Sequence, residues 1–370
     1  MSENILITGG AGFVGSHLAD ELLKQGYNVR VLDSLRPQVH GENARRPAYL
    51  NPAVELQIGD VRDPAAIRRA LKGIDAVYHF VALVGVGQSM YEIAEYTNVN
   101  NVGTAVLLEE LLKHPVRRLV VASSMSIYGE GLYQRPDGSV TTGERTLQQL
   151  QAGDWELRDE NGDLLIPIAT PEWKRPSLPS VYALSKFDQE QLCLMIGRAY
   201  KIPAVGLRFF NIYGPHQALS NPYTGVLAIF ASRLLNNRRP LINEDGEQRR
   251  DFVSVYDVAR CCRLALKAEN ADGHVFNVAS GEQIRISELA HRISRSLGKR
   301  IEPEITGKYR AGDIRHCFAD ITAARQILGY EPQMSLDAGL QDLAGWLDGQ
   351  IAYDRVAESR AELAARGLML

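Results

Sequence analysis

Short apolar runs alternate with stretches whose apolar residues recur every three or four positions. Ile5 to Ile7, Val29 to Leu32, Val54 to Ile58, Asp75 to Val81 and Arg117 to Ala122 carry the strand signal. Between them, Val14, Leu18 and Leu22 repeat on one helical face. Pro64 to Leu71 reads as a helix, with Asp63 at its N-cap and a proline in its first turn. Glu92 to Leu112 reads as one long helix. Strands separated by helices predict an α/β architecture, a parallel sheet covered on both faces.

From 130 to 179 the rhythm breaks into Gly, Pro and acidic clusters. Trp155, Trp173 and the run Leu164 to Ile166 predict partial order, so the segment reads as an insertion rather than a linker. Alternation resumes with a helix from Val181 to Tyr200 and a strand from Ala204 to Phe209. The last third mixes short strands with helices at Gly225–Asn236, Tyr256–Lys267, Ser287–Leu297 and Thr322–Leu328. The Ala/Glu/Arg-rich tail from Gln350 predicts an exposed helix.

Charge narrows the partners. Forty-one Lys and Arg stand against 44 Asp and Glu, a net −3, and the Arg-Arg pairs are scattered. A nucleic-acid binder would show a basic stripe, so none is expected as a partner. No apolar run is long enough to span a bilayer, and the chain opens in a strand without a charged-then-apolar leader. The expectation is a protein neither secreted nor in a membrane. Cys193, Cys261, Cys262 and Cys317 form no CxxC pair and no zinc-spaced cluster. They predict buried free thiols, a reducing cytoplasm and no metal.

Chemistry begins at Gly9-Gly10-Ala11-Gly12-Phe13-Val14-Gly15, between the first strand and the first helix. Glycines there permit a tight turn and close backbone approach, and the helix N-terminus offers amides to a pyrophosphate. Asp33 ends the second strand, placed to accept from a ribose 2′-hydroxyl. Its carboxylate repels a 2′-phosphate, which favours NAD over NADP; Arg36 nearby is a counter-signal.

Tyr182 and Lys186 lie four apart at the start of a helix and share a face. A phenol is a poor base at neutral pH, and a lysine cation beside it would stabilise the phenolate. Such a pair takes a proton from an alcohol while a nicotinamide accepts the hydride. Ser124 lies just past a central strand, at the carboxyl end of the sheet, where ligands bind in such folds.

Together these residues resemble the extended short-chain dehydrogenase/reductase family, in its nucleotide-sugar epimerase/dehydratase branch. Gly59-Asp60-Val61-Arg62-Asp63 is similar to the family's adenine-contacting stretch, and His79-Phe80-Val81-Ala82 to the loop beneath the cofactor. Asn100 to Thr104, Arg208 to Pro215, Arg250 to Asp257, Arg310 with Gly312-Asp313, and Leu328 to Tyr330 match further family segments. The likeness spans nearly the whole chain except 130–179 and the tail past about 350. It implies a Rossmann-type doubly wound sheet holding NAD over 1–209, rejoined by 250–280. A smaller mixed α/β substrate cap would come from 210–249 and 281–350, followed by a helical tail over 351–370. It implies cofactor contacts from Gly9, Gly12, Phe13, Val14, Gly15, Asp33, Asp60, Val61, Phe80, Ala82, Asn100, Tyr182 and Lys186. Substrate contacts would come from Gln88, Ser124, Ser126, Asn211, Arg250, Arg310 and Asp313. His17 and His79 are expected to be structural. The helices near 92–113 and 181–200 resemble those that build a homodimeric four-helix bundle in relatives.

Within the branch, 4,6-dehydratases place an Asp-Glu pair after the catalytic hydroxyl; here Met125 and Ser126 stand there. The decarboxylases' glutamate and the extra Cys and His of the 3,5-epimerases are also missing. What remains is oxidation at C4 of a nucleotide sugar and return of the hydride to the opposite face. Val84 stands where UDP-galactose epimerases often carry lysine, which suits a 6-deoxyhexose. Residues 123–129, the insertion and 217–226 resemble bacterial 4-epimerases of dTDP-L-rhamnose. The alternatives are a 4-epimerase of a UDP-hexose or UDP-uronate, a 4-ketoreductase and a non-catalytic NAD-bound scaffold. Because the insertion lies between Ser124 and Tyr182, it is expected to cover the sugar or to extend a dimer interface.

Overall fold

The computed structural model describes residues 2–42, 45–310 and 312–369. Among these, seven parallel strands form one sheet in the spatial order Glu55–Ile58, Asn28–Asp33, Asn4–Thr8, Ala76–His79, Arg118–Ser124, Ala204–Phe209 and Val275–Val278. The order reverses between Asn4–Thr8 and Ala76–His79, the switch point at which ligands bind in such sheets.

Near-continuous apolar strands follow from burial on both faces. Ile5, Ile7, Val29, Val31, Ala76, Tyr78 and Val120 point into one core, whose cover includes the packed helices Phe13–Lys24 and Val255–Lys267. Leu6, Leu32, Val77, Leu119 and Val121 point into the other, under Pro64–Leu71, Gly103–Lys113 and Val181–Tyr200. Adjacent residues therefore serve opposite layers, as the pleat dictates. A third core, with Leu227, Phe230, Leu289, Ile293, Leu340 and Leu343, joins the helices Val226–Leu235, Ile286–Ser296 and Leu336–Leu347 beside the sheet.

Two expectations need correction. The helix read over Glu92–Leu112 is a succession: Ile93–Tyr96, a π-helical turn at Thr97–Val102, then Gly103–Lys113. Asn100 lies in that turn with its side chain fully buried, bonded to the loop and helix beside it rather than to its own backbone.

The tail does form a helix, Val356–Ala365, but it is not exposed on all sides. Val356, Ser359 and Leu363 are buried. Tyr223 donates to Glu362 at 2.9 Å, and the Arg366 guanidinium lies 4.3 Å from the Tyr91 ring centre.

The insertion is ordered, and at its end Pro179 lines the cleft that Ser124 and Tyr182 share. It builds a small antiparallel sheet from Leu132–Gln134, Val140–Thr141 and Ile166–Ile168 over Tyr133, Leu157 and Leu165. What ties it down is a buried charge network. Arg145 bonds Glu244 at 2.7 Å and the Asp313 carbonyl at 3.0 Å. Arg315 bonds Glu244 at 2.9 Å and Asp245 at 2.6 Å, and its Nε meets Glu156 at 3.0 Å. Glu130 accepts the backbone amides of Arg315 and His316. These bonds tie the segment to residues 244–245 and 313–316.

Candidate active site

The loop after the first strand turns at Gly9 in the left-handed region, φ +70°. A Cβ there would stand 2.8 Å from the Val81 backbone, and one at Gly15 would stand 2.5 Å from the Gly10 Cα. Glycine is thus required for strand, loop and helix to touch. Gly12 caps the helix Phe13–Lys24 with no side-chain bond, and no acid sits in the first turn. The first amides and the positive helix end are left for an anion.

This loop floors a cleft of about 280 Å³ that Asp33, Asp60, Val61, Phe80 and Ala82 also line. Asp33 accepts the amides of Ala11 at 3.0 Å and Leu35 at 2.9 Å, which fixes its carboxylate at the strand end. Arg36 lies 2.6 Å from Glu95, so its charge is already engaged and does not offer a 2′-phosphate an open partner. Asp60 is held below its ordinary value, chiefly by hydrogen bonding from Arg62. The glycine cradle, the open helix end and the fixed acid fit a dinucleotide with a free ribose 2′-hydroxyl.

A second cleft, of about 530 Å³, continues from the first and shares Phe13, Val14, Phe80, Ala82 and Val84 with it. Ser124, Ser126, Tyr182, Lys186, Asn211, Arg250, Arg310 and Asp313 line it. Ser124 ends its strand and accepts the Ser126 amide at 3.1 Å, capping a short 3-10 turn that aims its hydroxyl outward. Ser180 caps the helix Val181–Tyr200 through the Ala183 amide, and Ser89 accepts the Tyr182 amide. The Ser124 hydroxyl donates to the Ser126 hydroxyl at 3.1 Å, and these contacts hold Ser124 and Tyr182 on the wall of one cleft.

The electrostatics differ from the expected lysine–phenolate pairing. Burial raises the Tyr182 phenol, and the nearby Ser124 hydroxyl pulls it back only in part. Lys186 is buried and pushed down to about 8, and its ammonium donates to Gln189 at 2.7 Å. Gln189 in turn donates to Thr104 and the Val81 carbonyl. His79, between Thr8 and Thr104, is held down at about 3 by burial and is a neutral brace. Sequence reasoning missed Gln189, although its position three residues after Lys186 places it on the same helix face.

Two expected contacts lie elsewhere. Asn100 lines neither cleft. Its amide accepts from the Leu83 amide at 2.7 Å and donates to the Leu83 carbonyl and to Ser185. It staples the cofactor loop to the catalytic helix. Gln88 borders the dinucleotide cleft instead of the second one, with Gln38, Glu92 and Tyr96 as partners. At the far end of the second cleft, Arg310 pairs with Asp313 at 3.1 Å, while Arg250 donates to the carbonyls of Arg249, Ile314 and Arg315. The Asn211 side-chain oxygen is buried there without a partner.

No helix is long and apolar enough to cross a membrane, and no metal-binding cluster occurs among the described residues.

Comparison with known proteins agrees with this geometry. The model of the "NAD dependent epimerase/dehydratase family" matches residues 5–150 and 169–279, skipping part of the insertion. The dTDP-L-rhamnose 4-epimerase of Burkholderia thailandensis is 36% identical over 351 residues, covering 93% of this chain and 95% of that one. The human UDP-glucose 4-epimerase is 30% identical over 370 aligned residues, 94% of this chain and 97% of its own. The crystal structure of UDP-glucose 4-epimerase from Thermotoga maritima with UDP-glucose superposes with a TM-score of 0.77 at 30% identity, over 94% of this chain and 99% of that one. The Thermus thermophilus UDP-glucose 4-epimerase in complex with NAD gives 0.72 at 29% identity, over 94% and 100%. Motif by motif and over nearly its full length, the chain belongs to the NAD-dependent epimerase/dehydratase family.

Proposed function

We propose that this protein is an NAD-dependent nucleotide-sugar 4-epimerase, with dTDP-L-rhamnose as its favoured substrate and dTDP-6-deoxy-L-talose as the product. The observation that carries the reading is that Ser124, Tyr182 and Lys186 line one cleft with Arg250 and Arg310, continuous with the dinucleotide cleft. We assign the sheet to the dinucleotide, and the smaller unit from 210–249 and 281–350 to the nucleotide sugar.

Gly9, Gly12, Gly15 and Asp33 would hold NAD, which when bound supplies a reversible two-electron acceptor. Tyr182 takes the proton of the sugar 4-hydroxyl, and Ser124 fixes that oxygen and shares the proton. Lys186, cationic below about 8 and held by Gln189 on the same helix face, would have to turn toward Tyr182 to stabilise the charge that develops there. The 4-keto sugar then turns over and receives its hydrogen on the other face, with the proton returned by Tyr182, so the reaction is redox-neutral. Turning needs room, and the lining there is small: Ala82, Val84, Gly85 and Gly87. The apolar, exposed Val84 suits a sugar with a methyl group at C6. Asp313 is the acid lining this cleft among the described residues, and it is engaged by Arg310. With Met125 and Ser126 beside Ser124, there is no carboxylate to drive dehydration.

We also propose a homodimer. Leu184 and Met195 share one face of Val181–Tyr200 and are 52% and 61% exposed; Ile93 and Val102 on the neighbouring helical segment are 54% and 45% exposed. Four buried free thiols support a reducing, cytoplasmic setting.

The test is purification without added nucleotide, followed by incubation with dTDP-, UDP- and GDP-sugars scored by NMR at C4. Copurified NAD and inversion at C4 in D2O without deuterium uptake are expected. Stoichiometric consumption of reduced nucleotide would replace this reading with a ketoreductase.

A further inference from the structure

The helix Val356–Ala365 turns a polar edge toward the second cleft. Val356, Ser359, Arg360 and Leu363 all line it, at spacings i, i+3, i+4 and i+7, which is one helical face. The helix is seated tightly. A Cβ on Gly87 would come within 3.1 Å of the Leu363 Cδ2, so the loop Gly85–Gly87 and the helix are in contact. The Tyr223–Glu362 bond and the Arg366–Tyr91 contact fix its outer side.

Arg360 is the charged member of this face. It is half-buried, and its guanidinium donates to the neutral side chains of Asn243 at 3.3 Å and Thr306 at 3.5 Å. Glu304 acts on it only at longer range, and Arg233, the other charge that acts on it, repels it. Elsewhere in the cleft Arg310 is neutralised by Asp313, whereas Arg250 bonds only to backbone carbonyls. Among the described residues, neither Arg250 nor Arg360 forms a salt bridge with a carboxylate, although the Arg250 charge also acts on Asp313. A nucleoside diphosphate ester carries two negative charges at neutral pH, and a guanidinium fork matches phosphate oxygens.

We propose that Arg360 is a diphosphate-binding residue of the nucleotide sugar site, delivered by the C-terminal helix and acting with Arg250 and Arg310. The inference rests on the nucleotide-sugar reading above. Arg360 contributes to binding rather than to proton transfer, so its loss raises KM and leaves kcat close to that of the parent.

The test uses the full-length holoenzyme and its Arg360→Ala, Arg360→Gln and Arg360→Lys variants. Affinities for dTDP and UDP are measured by calorimetry across a salt series. Losing one charged hydrogen-bonding group weakens both diphosphates roughly ten- to a hundredfold. The salt dependence becomes shallower in the Ala and Gln variants. The Lys variant recovers part of the affinity, and bound NAD is unchanged in all three. Unchanged diphosphate affinity in the Ala and Gln variants overturns the proposal, as does weaker binding with an unaltered salt slope. A parent enzyme that binds no nucleoside diphosphate overturns the nucleotide-sugar reading as well. The Gln variant keeps hydrogen-bonding capacity and bulk, so it reports even if the Ala variant misfolds.

Discussion

Removing the Arg315 guanidinium should cost more than any surface ion pair. Arg315 and Glu244 are each 1% exposed, and Arg145 is 3% exposed. In an Arg315→Met variant of similar side-chain volume, Glu244 keeps only Arg145 as a cationic partner, Glu156 keeps only His316, and Asp245 loses its partner. Breaking a buried pair from one side costs about 3–5 kcal/mol, against about 0–1 kcal/mol for an exposed one. The pH dependence follows from the carboxyl groups. Burial raises Glu244, and Arg145 and Arg315 offset this only in part, so losing Arg315 raises it further. Burial also opposes ionisation of Glu156, yet His316 and Arg315 outweigh it and hold the group at about 2. A depressed carboxyl adds stability above its unfolded value near 4.5, and that stability is lost as pH falls toward 2. Both effects make the variant's deficit largest at pH 7 and smaller near pH 4. Urea unfolding at the two pH values measures it. Adding Glu244→Gln to the variant should recover part of the loss, because an amide tolerates the missing cation. A deficit under about 1 kcal/mol at pH 7, or one that is the same at pH 4, would refute this account of the network.

Further predictions concern the cleft itself. Tyr182→Phe should lower turnover at least about a hundredfold while the NAD released on denaturation stays at the parent's level; an unchanged rate would sink the assignment of the base. Lys186 titrates at about 8 in the fold against an ordinary 10.5, so the unfolded chain binds more protons between those values. The parent should therefore gain stability relative to Lys186→Met from pH 7.5 to 10.5, by on the order of 3 kcal/mol, and a constant difference between their unfolding midpoints would contradict the burial argument. Gly15→Ala should lower the melting temperature more than Gly12→Ala, since the added Cβ meets Gly10 at 2.5 Å in the first and the Gly9 carbonyl at 3.4 Å in the second.

The parts legible in the sequence were those written in local patterns. Alternation along Ile5-Leu6-Ile7 reports two buried faces directly, and the Asp63-Pro64 pair marks a helix start that the structure places at Pro64. Glycines at 9 and 15 are dictated by backbone contact distances, so a short motif carries them. That Ser124 and Tyr182 face one cleft was legible because each residue sits at the end of a strong element, a strand and a capped helix. Lys186 shows the limit of that reading. Its spacing from Tyr182 was visible, but its ammonium bonds to Gln189, and burial of both groups decides their proton affinities.

The charge network and the inward face of the C-terminal helix were illegible for a shared physical reason: their partners are distant in sequence and polar. Arg145, Glu130, Glu156, Glu244 and Arg315 come together over 185 positions, and singly each reads as a solvated surface charge. The inward face of Val356–Ala365 is Val, Ser, Arg and Leu, with no continuous apolar stripe. A stripe is what burial against a hydrophobic core writes into a sequence. A helix that walls a ligand cleft meets charge and loop backbone instead, so its buried face keeps polar residues and looks exposed. The network bonded to Asp313 and the wall carrying Arg360 therefore meet at the arginine end of the cleft, where electrostatics rather than apolar area sets which residues are required.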